Sequence, residues 1–192
     1  MKRKRVGVLI SGRGSNMAAL VEATCDAGYP AEVVCVVSNR PDAAGLEFAR
    51  SRKISTHVID HKLYSTRESF DAALNDYLQS QNLDLIACAG FMRIMTSVLL
   101  EPWEGKMINI HPSLLPLYRG TNTHERALAD GVKVHGCSVH YVTAELDGGP
   151  VIARAEVPVL SGDTPATLSA RVLVEEHKLY PKALAMAVRK LT

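Results

Sequence analysis

The sequence predicts a single α/β domain with a mostly parallel, twisted sheet of about seven strands and helices on both faces. Short apolar runs rich in β-branched residues alternate with segments of helical periodicity. A glycine-rich turn joins the first apolar run to the first helical segment, as in phosphate-binding α/β units. Two longer apolar runs follow one another late in the chain, which adds an antiparallel strand pair.

Length and composition fit one such domain. The chain has 192 residues, 47% hydrophobic, and a formal net charge of +2. We expect one domain over residues 1–192, with a flexible basic leader at residues 1–5. The sequence has no apolar run near the roughly 20 residues of a membrane span, no signal-peptide pattern and no aromatic-rich basic face. We therefore expect a cytoplasmic protein without nucleic-acid or membrane partners.

The first half of the chain alternates between strand and helix patterns. Its strands are predicted from short, largely β-branched apolar runs. Its longest helix is predicted because Phe70, Leu74 and Leu78 recur one helical turn apart. In order, the elements are a strand at 5–10, a helix at 17–27, a strand at 31–38, a helix at 43–50, a strand at 56–59 and a helix at 65–81.

The second half continues this alternation and then departs from it. Pro165 suits the first turn of a final helix, in which Pro181 predicts a kink. Ligands of open α/β sheets bind outside the carboxyl ends of the strands, so the loops there are candidate site segments. The elements are strands at 83–89 and 107–110, a helix at 123–130, strands at 134–142 and 151–159, and a helix from 165.

Asn109-Ile110-His111 lies where a predicted strand ends, before a segment with two prolines that is neither regular helix nor central strand. Residues two apart on a strand face the same side, so an amide donor and an imidazole share one spot. Alone, this pattern also fits a hydrogen-bonded histidine that caps a strand. Asp147, in an Asp-Gly-Gly-Pro loop, would orient His111 and favour its protonated form, or else would bond to its own turn.

The turn Gly12–Asn16 can hold a phosphate through backbone N–H groups at a helix N-terminus, or can be an ordinary capped turn. It lacks the Lys of a Walker A loop and the third glycine of a dinucleotide fingerprint. Glu176 lies on an otherwise apolar helix row and needs a partner, either a ribose hydroxyl or a salt bridge with Arg171 or Lys178. Arg67 is a ligand contact or a solvated arginine.

Seven histidines and four cysteines raise the possibility of a metal site. Their spacings match no zinc motif, so we expect no metal. His135 and His140 are five residues apart and would face opposite sides of a regular strand.

Four segments together resemble the glycinamide ribonucleotide formyltransferases, a branch of the folate-dependent formyltransferases: Ser11–Asn16, Gly90–Ile94, Asn109–Pro116 and Glu145–Pro150. The similarity runs in order from about Val6 into the last helix. The Asn-x-His and Asp set is common to all folate-dependent formyltransferases, whereas the Ser-Gly-x-Gly-Ser-Asn turn belongs to the purine-pathway branch. The resemblance implies a Rossmann-like formyltransferase fold.

The resemblance also implies an activity: transfer of a formyl group from 10-formyltetrahydrofolate to the amine of N1-(5-phosphoribosyl)glycinamide in purine biosynthesis. It implies no metal and leaves open a monomer or a homodimer. The implied residues are Asn109, His111 and Asp147 for catalysis, Gly14, Ser15, Asn16 and Glu176 for the ribonucleotide, and Arg67, Met92, Arg93, Ile94, Met95 and Asn109 for the folate.

Other hypotheses make different demands on the sequence. Methionyl-tRNA formyltransferase and formyltetrahydrofolate deformylase share the Asn-x-His segment, but they carry additional domains that we do not expect in 192 residues. A non-catalytic phosphate-binding module would need only the Gly12–Asn16 turn. A metal-dependent hydrolase would rest on histidine content alone.

Overall fold

The computed structural model describes residues 2–191, which form seven strands and six α-helices. The strands are β1 (Lys4–Ile10), β2 (Ala31–Ser38), β3 (Ser55–Val58), β4 (Leu85–Cys88), β5 (Met107–His111), β6 (Val134–Tyr141) and β7 (Val151–Pro158). The helices are α1 (Ser15–Thr24), α2 (Gly45–Ser51), α3 (Arg67–Ser80), α4 (Ser97–Leu100), α5 (Thr123–Ala129) and α6 (Pro165–Arg189), with short 3-10 turns at His61–Leu63 and Glu101–Trp103.

All seven strands form one sheet in the order β3-β2-β1-β4-β5-β6-β7. Strands β1 to β5 pair in parallel, whereas β5–β6 and β6–β7 pair antiparallel. The predicted α/β class, strand number and late antiparallel pair are therefore confirmed. After β3 the chain crosses to the other side of β1, which makes the crevice between the ends of β1 and β4 the expected ligand site.

Helices cover both faces of the sheet because the central strands are apolar on both sides. In β1, Val8 and Ile10 pack with α1, α2 and α6, whereas Leu9 packs with α3 on the other face. These strand residues are fully buried. The two cores hold the carboxyl ends of the strands in fixed positions, from which the loops of the site extend.

The element boundaries differ from the predictions at a few places. Lys4 and Arg5 belong to β1 and pair with Ala31 and Glu32, so the predicted leader of residues 1–5 is shorter; Met1 lies outside the described residues. The short helix α4 and both 3-10 turns were not predicted, because segments this short carry no detectable periodicity. Helix α6 starts at Pro165 as predicted, and it continues through Pro181.

Candidate active site

Strand β5 ends at the candidate site and presents two polar side chains on one face. Asn109 and His111 are two residues apart and point to the same side of the strand. Antiparallel pairing sets Asn109 opposite His140 of β6, and Asn109 Nδ2 lies 3.3 Å from His140 Nε2. An amide donor and two imidazoles, one of them from β6, therefore lie together at the end of β5.

The proline-flanked turn after β5 is tied to the neighbouring strand by one serine. The Ser138 hydroxyl donates to Ser113 O at 2.7 Å and accepts from the Leu115 N–H at 3.0 Å. The Ser113 N–H donates to His111 O at 2.9 Å. Because Ser138 is fully buried, these bonds are shielded from water and hold the chain that follows His111.

Asp147 lies between the two histidines and faces each with a different carboxylate oxygen. Its Oδ2 is 3.4 Å from His111 Nδ1, and its Oδ1 is 3.5 Å from His140 Nε2. The Gly120 N–H donates to Oδ2 at 2.9 Å. The Asp147 backbone is left-handed, with φ 49°, a conformation in which aspartate is enriched among non-glycine residues. Asn109, His111 and Asp147 thus belong to one cluster.

His111 is buried, and its two ring nitrogens face two acceptors. Nε2 lies 2.9 Å from the Tyr118 carbonyl oxygen, which places a proton on Nε2. Nδ1 faces Asp147, so only a protonated ring satisfies both acceptors. Burial nonetheless lowers the pKa of His111 and outweighs the opposing effects of Tyr118 O and Asp147. Asp147 favours the protonated ring as expected, but burial shifts the balance towards neutral imidazole.

Asp147 keeps its negative charge although it is largely buried. Burial alone would raise the pKa of its carboxyl group. The contact with His140, the hydrogen bond from the Gly120 N–H and the neighbouring His111 ring together outweigh burial and lower that pKa. A carboxylate that is ionised at neutral pH can orient an imidazole or a water molecule and accept a proton.

His140 belongs to this cluster and was not predicted to do so. Its Nδ1 donates to Tyr141 O at 2.9 Å, which leaves Nε2 directed towards Asn109 and Asp147. The pairing of β5 with β6 is regular through this position, so His140 lies on the same face of the sheet as Asn109. The pairing of His140 with Asn109 was the signal that would have found it, and that pairing requires the register of β6.

A cavity of about 140 Å³ opens next to this cluster. Asn109, His140 and Asp147 line its polar end. The predicted folate residues Arg93, Ile94 and Met95 line it as well, and they follow the carboxyl end of β4. The remaining walls are formed by Cys88, Phe91, Leu100, Val142, Thr143, Ala144, Glu145 and Leu146.

Two residues predicted to contact folate lie elsewhere. Met92 is 72% exposed and lines the neighbouring cavity. Arg67 is the exposed first residue of α3 and lines neither of these two cavities. Arg93 lines both cavities, and its guanidinium lies over the Phe70 ring at 5.3 Å.

The turn after β1 lines this second cavity, of about 560 Å³. Gly14 is the N-cap of α1 in a left-handed conformation, with φ 73°, and no side chain caps the helix. Ser15 and Asn16 form the first helical turn, where backbone N–H groups lack intrahelical partners. This arrangement suits a phosphate.

Glu176 is 7% exposed and accepts a hydrogen bond from Asn16 Nδ2 at 2.7 Å. Burial raises the pKa of its carboxyl group, and Asn16 opposes that rise. Arg171 pairs with Asp163 and Lys178 pairs with Glu175, so neither forms the alternative salt bridge. Glu176 therefore sits beside the phosphate turn with one carboxylate oxygen engaged by Asn16.

Within residues 2–191, no three His, Cys, Asp or Glu side chains are grouped so that they would hold a metal ion. None of the helices described is both long and apolar enough to cross a membrane.

Gly14 occupies a position that only glycine fits without strain. A Cβ at this position would lie 2.9 Å from Met17 Cε and 3.0 Å from Gly45 Cα, in a left-handed backbone. Gly14→Ala should therefore destabilise the protein by about 1–3 kcal/mol in urea unfolding. Gly12→Ala is the matched control, because its Cβ would meet no atom within 4 Å. Equal stabilities of the two variants would contradict the requirement for glycine at position 14.

The buried His135 makes the stability of the fold depend on pH. His135 is 1% exposed, and among residues 2–191 neither ring nitrogen has a hydrogen-bond partner. Burial, with a smaller contribution from His124, lowers its pKa to about 4. The unfolded chain therefore binds more protons between pH 6.5 and 4, and stability falls as pH falls through this window.

His135→Phe removes this titrating group and keeps a ring of similar size. The wild type should lose roughly 2 kcal/mol more than the variant between pH 6.5 and 4, after allowance for solvent screening. Urea unfolding at both pH values measures the difference. Parallel pH dependences would show that His135 does not titrate with unfolding.

A family model described as formyl transferase matches residues 4–184. Phosphoribosylglycinamide formyltransferase of Escherichia coli (strain K12) is 44% identical over 178 residues, which cover 93% of this chain and 84% of the relative. The human trifunctional purine biosynthetic protein adenosine-3 is 48% identical over 185 residues, which cover 96% of this chain. The chain spans only 18% of the human protein's length.

Solved structures agree with these matches. Phosphoribosylglycinamide formyltransferase from Brucella melitensis has a TM-score of 0.93 at 48% identity, covering 96% of this chain and 95% of that one. Glycinamide ribonucleotide transformylase 1 from Symbiobacterium toebii has a TM-score of 0.95 at 44% identity, covering 99% and 90% of the two chains.

Proposed function

Because the chain belongs to the formyl transferase family, within its phosphoribosylglycinamide formyltransferase branch, we propose that it transfers a formyl group from 10-formyltetrahydrofolate to the amine of N1-(5-phosphoribosyl)glycinamide. This reaction is a step of purine (IMP) biosynthesis. The observation that carries the proposal is the position of Asn109 and Asp147 at one end of a cavity, beside a second cavity at the phosphate turn.

The two cavities divide the substrates between them. The Arg93–Met95 segment and Asn109 would bind the pterin end of the folate. Gly14, Ser15 and Asn16 would bind the ribonucleotide phosphate, and Glu176 would accept a hydrogen bond from a ribose hydroxyl. The reacting groups then meet between the cavities, where Arg93 lines both.

Two exposed residues outside the lining of this cavity would also contact the folate. Met92 is exposed beside the Arg93–Met95 segment, so its side chain would cover the part of the folate that leaves the cavity. Arg67 is exposed at the start of α3 and would pair with a carboxylate of the folate glutamate tail. Both contacts lie outside the polar cluster and would affect folate KM more than kcat.

The proposed reaction is a direct attack of the glycinamide amine on the formyl group. The glycinamide nitrogen forms a bond to the formyl carbon, and the formyl oxygen becomes an oxyanion. The Asn109 amide N–H stabilises that oxyanion, and the positive charge of protonated His111 nearby stabilises it further. The bond from the formyl carbon to N10 then breaks, and the electron pair leaves on N10. The amine proton passes to N10, so the reaction needs neither a metal ion nor a covalent nucleophile.

Asp147 and His111 would together transfer the proton of the attacking amine. The neutral form of His111 that burial favours can accept a proton from the attacking amine, and Asp147 then stabilises the resulting imidazolium. Protonated His111 can then return this proton to the leaving nitrogen. Positioned proton transfer of this kind typically contributes about a hundred- to ten-thousandfold in rate.

The wider setting follows from the same proposal. The domain would act as one formyltransferase unit over residues 1–192, as a monomer or a homodimer. Its partners would be the two small-molecule substrates, without nucleic acid or membrane. The four cysteines are free thiols, which suits the reducing cytoplasm.

The test is a transfer assay with purified protein and both substrates. Release of tetrahydrofolate should require glycinamide ribonucleotide and should match formylated product one to one. Folate release without ribonucleotide would indicate a hydrolase, and ribonucleotide binding without folate binding would indicate a binding module. Either result, from folded protein, would overturn the proposal.

A further inference from the structure

The cavity at the phosphate turn has a second wall to which the ribonucleotide assignment gives no role. Asn39 follows the end of β2, and His61 lies in the 3-10 turn after β3. Both strands run parallel to β1, so their carboxyl ends reach the same edge of the sheet as the Gly12–Asn16 turn. Two side chains with hydrogen-bonding groups therefore face the cavity from outside helix α1.

The charge of this cavity suits an anion. Its lining contains three arginines and one histidine but no aspartate or glutamate. One of the arginines, Arg40, is already paired with Asp42, its guanidinium nitrogens lying 3.1 and 2.7 Å from the carboxylate oxygens. The cationic and polar lining residues are Arg13, Arg40, His61, Arg93, Ser11, Ser15, Asn16 and Asn39.

Asn39 is held in one orientation. It is 3% exposed, and its Oδ1 accepts from the Ser11 hydroxyl at 2.6 Å. Ser11 Oγ in turn accepts from the Met92 N–H at 2.8 Å. With Oδ1 engaged, Nδ2 is the amide atom that remains for His61 or for a ligand.

His61 presents one ring nitrogen to the cavity. Its Nδ1 lies 2.8 Å from the Asn39 carbonyl oxygen and 3.8 Å from the Asp60 carboxylate, two acceptors that favour a proton on Nδ1. Asn39 Nδ2 is 3.1 Å from the same nitrogen, and it cannot donate there when Nδ1 is protonated. Within the described residues Nε2 has no hydrogen-bond partner in the protein, so it is the ring nitrogen that remains for a ligand.

We propose that His61 Nε2 and Asn39 Nδ2 bind the phosphate of the ribonucleotide and complete the site that Gly14, Ser15 and Asn16 begin. This inference rests on the proposed function, which places that phosphate in this cavity. The backbone N–H groups of the turn are neutral donors. His61 adds a ring nitrogen from the other wall of the cavity, and Asn39 is tied through Ser11 to the Met92 backbone.

Two substitutions distinguish the contributions of the two ring nitrogens of His61. His61→Asn keeps an amide near the Nδ1 position and loses the group at Nε2, whereas His61→Gln places an amide near Nε2. Losing a hydrogen bond to a charged group should raise the ribonucleotide KM about tenfold or more in His61→Asn. His61→Gln should retain part of the affinity, and kcat and the folate KM should change less than about twofold.

His57→Asn is the matched control, because His57 is on the adjacent strand β3, is exposed and stacks on Tyr77 at 4.0 Å. An unchanged ribonucleotide KM in His61→Asn, or an equal change in His57→Asn, overturns the inference. Calorimetric binding of ribose 5-phosphate is measured in parallel with the wild type and His61→Asn. If the wild type transfers no formyl group, the proposed function fails, and weaker binding of ribose 5-phosphate by His61→Asn still supports the phosphate contact.

Discussion

Asp147→Asn should lower kcat for formyl transfer by about a hundred- to a thousandfold, within the range for a positioned acid–base group. The substitution keeps the size and an acceptor oxygen for the Gly120 N–H, so the loop should stay in place. It removes the negative charge that lies 3.4 Å from His111 and 3.5 Å from His140. The imidazolium formed during proton transfer then loses its stabilising partner, while both KM values should change less than about threefold.

Asp130→Asn is the control for this experiment. Asp130 is exposed and accepts from the Tyr118 hydroxyl at 2.9 Å, so the change removes a nearby carboxylate outside the cluster. Its kcat should stay within about twofold of the wild type. If Asp147→Asn and Asp130→Asn had similar kcat values, the role of Asp147 in proton transfer would be wrong.

Asn109→Ala should lower kcat by about a hundred- to a thousandfold, as is typical when one oxyanion donor is lost. The Asn109 side chain lines the cavity and is fixed beside His140, so its N–H group is in place before substrate binds. Asn109→Asp tests the same idea without a change in size, because the carboxylate has no N–H to donate. It should be at least as slow as Asn109→Ala.

The two Asn109 variants also distinguish hydrogen-bond donation by the side chain from its role in packing. If Asn109→Asp kept near-wild-type kcat while Asn109→Ala lost it, Asn109 would serve to fill space and not to stabilise an oxyanion. Single-turnover rates with both substrates saturating measure the chemical step directly.

Most of the fold could be predicted from the sequence because the buried strands have a strong apolar pattern. Both faces of β1 are apolar, and such a run has few alternatives to a central strand. The late antiparallel pair was also predictable, since two long strands follow one another with only a loop between them. The turns around His61 and α4 were not, because their positions depend on packing against the rest of the sheet.

The site was predictable where its residues are close in sequence. It was less predictable where strand register decides which residues are neighbours. Asn109 and His111 share a face through strand geometry alone. His140 reaches Asn109 only through the pairing of β5 with β6, and a one-residue slip would have turned it away. The pKa of His111 could not be predicted because burial, which is a property of the folded chain, outweighs the neighbouring charge.

Contacts between residues that are far apart in the sequence could not be predicted either. Glu176 needed a partner, and the candidates near it in sequence were Arg171 and Lys178. The partner in the structure is Asn16, 160 residues away, on the turn that begins α1. Because α1 and α6 pack side by side on the same face of the sheet, the pair joins two ends of the chain at one site.

The central claim is that Asn109, His111 and Asp147 surround the formyl group during transfer. A crystal structure with glycinamide ribonucleotide and a folate analogue that carries a non-transferable formyl group tests it most directly. The formyl oxygen should lie about 2.7–3.1 Å from Asn109 Nδ2, with the glycinamide nitrogen next to the formyl carbon on the side of His111 and Asp147. A formyl group bound away from Asn109, with Asp147 contacting neither substrate directly nor through a water molecule, would contradict the claim.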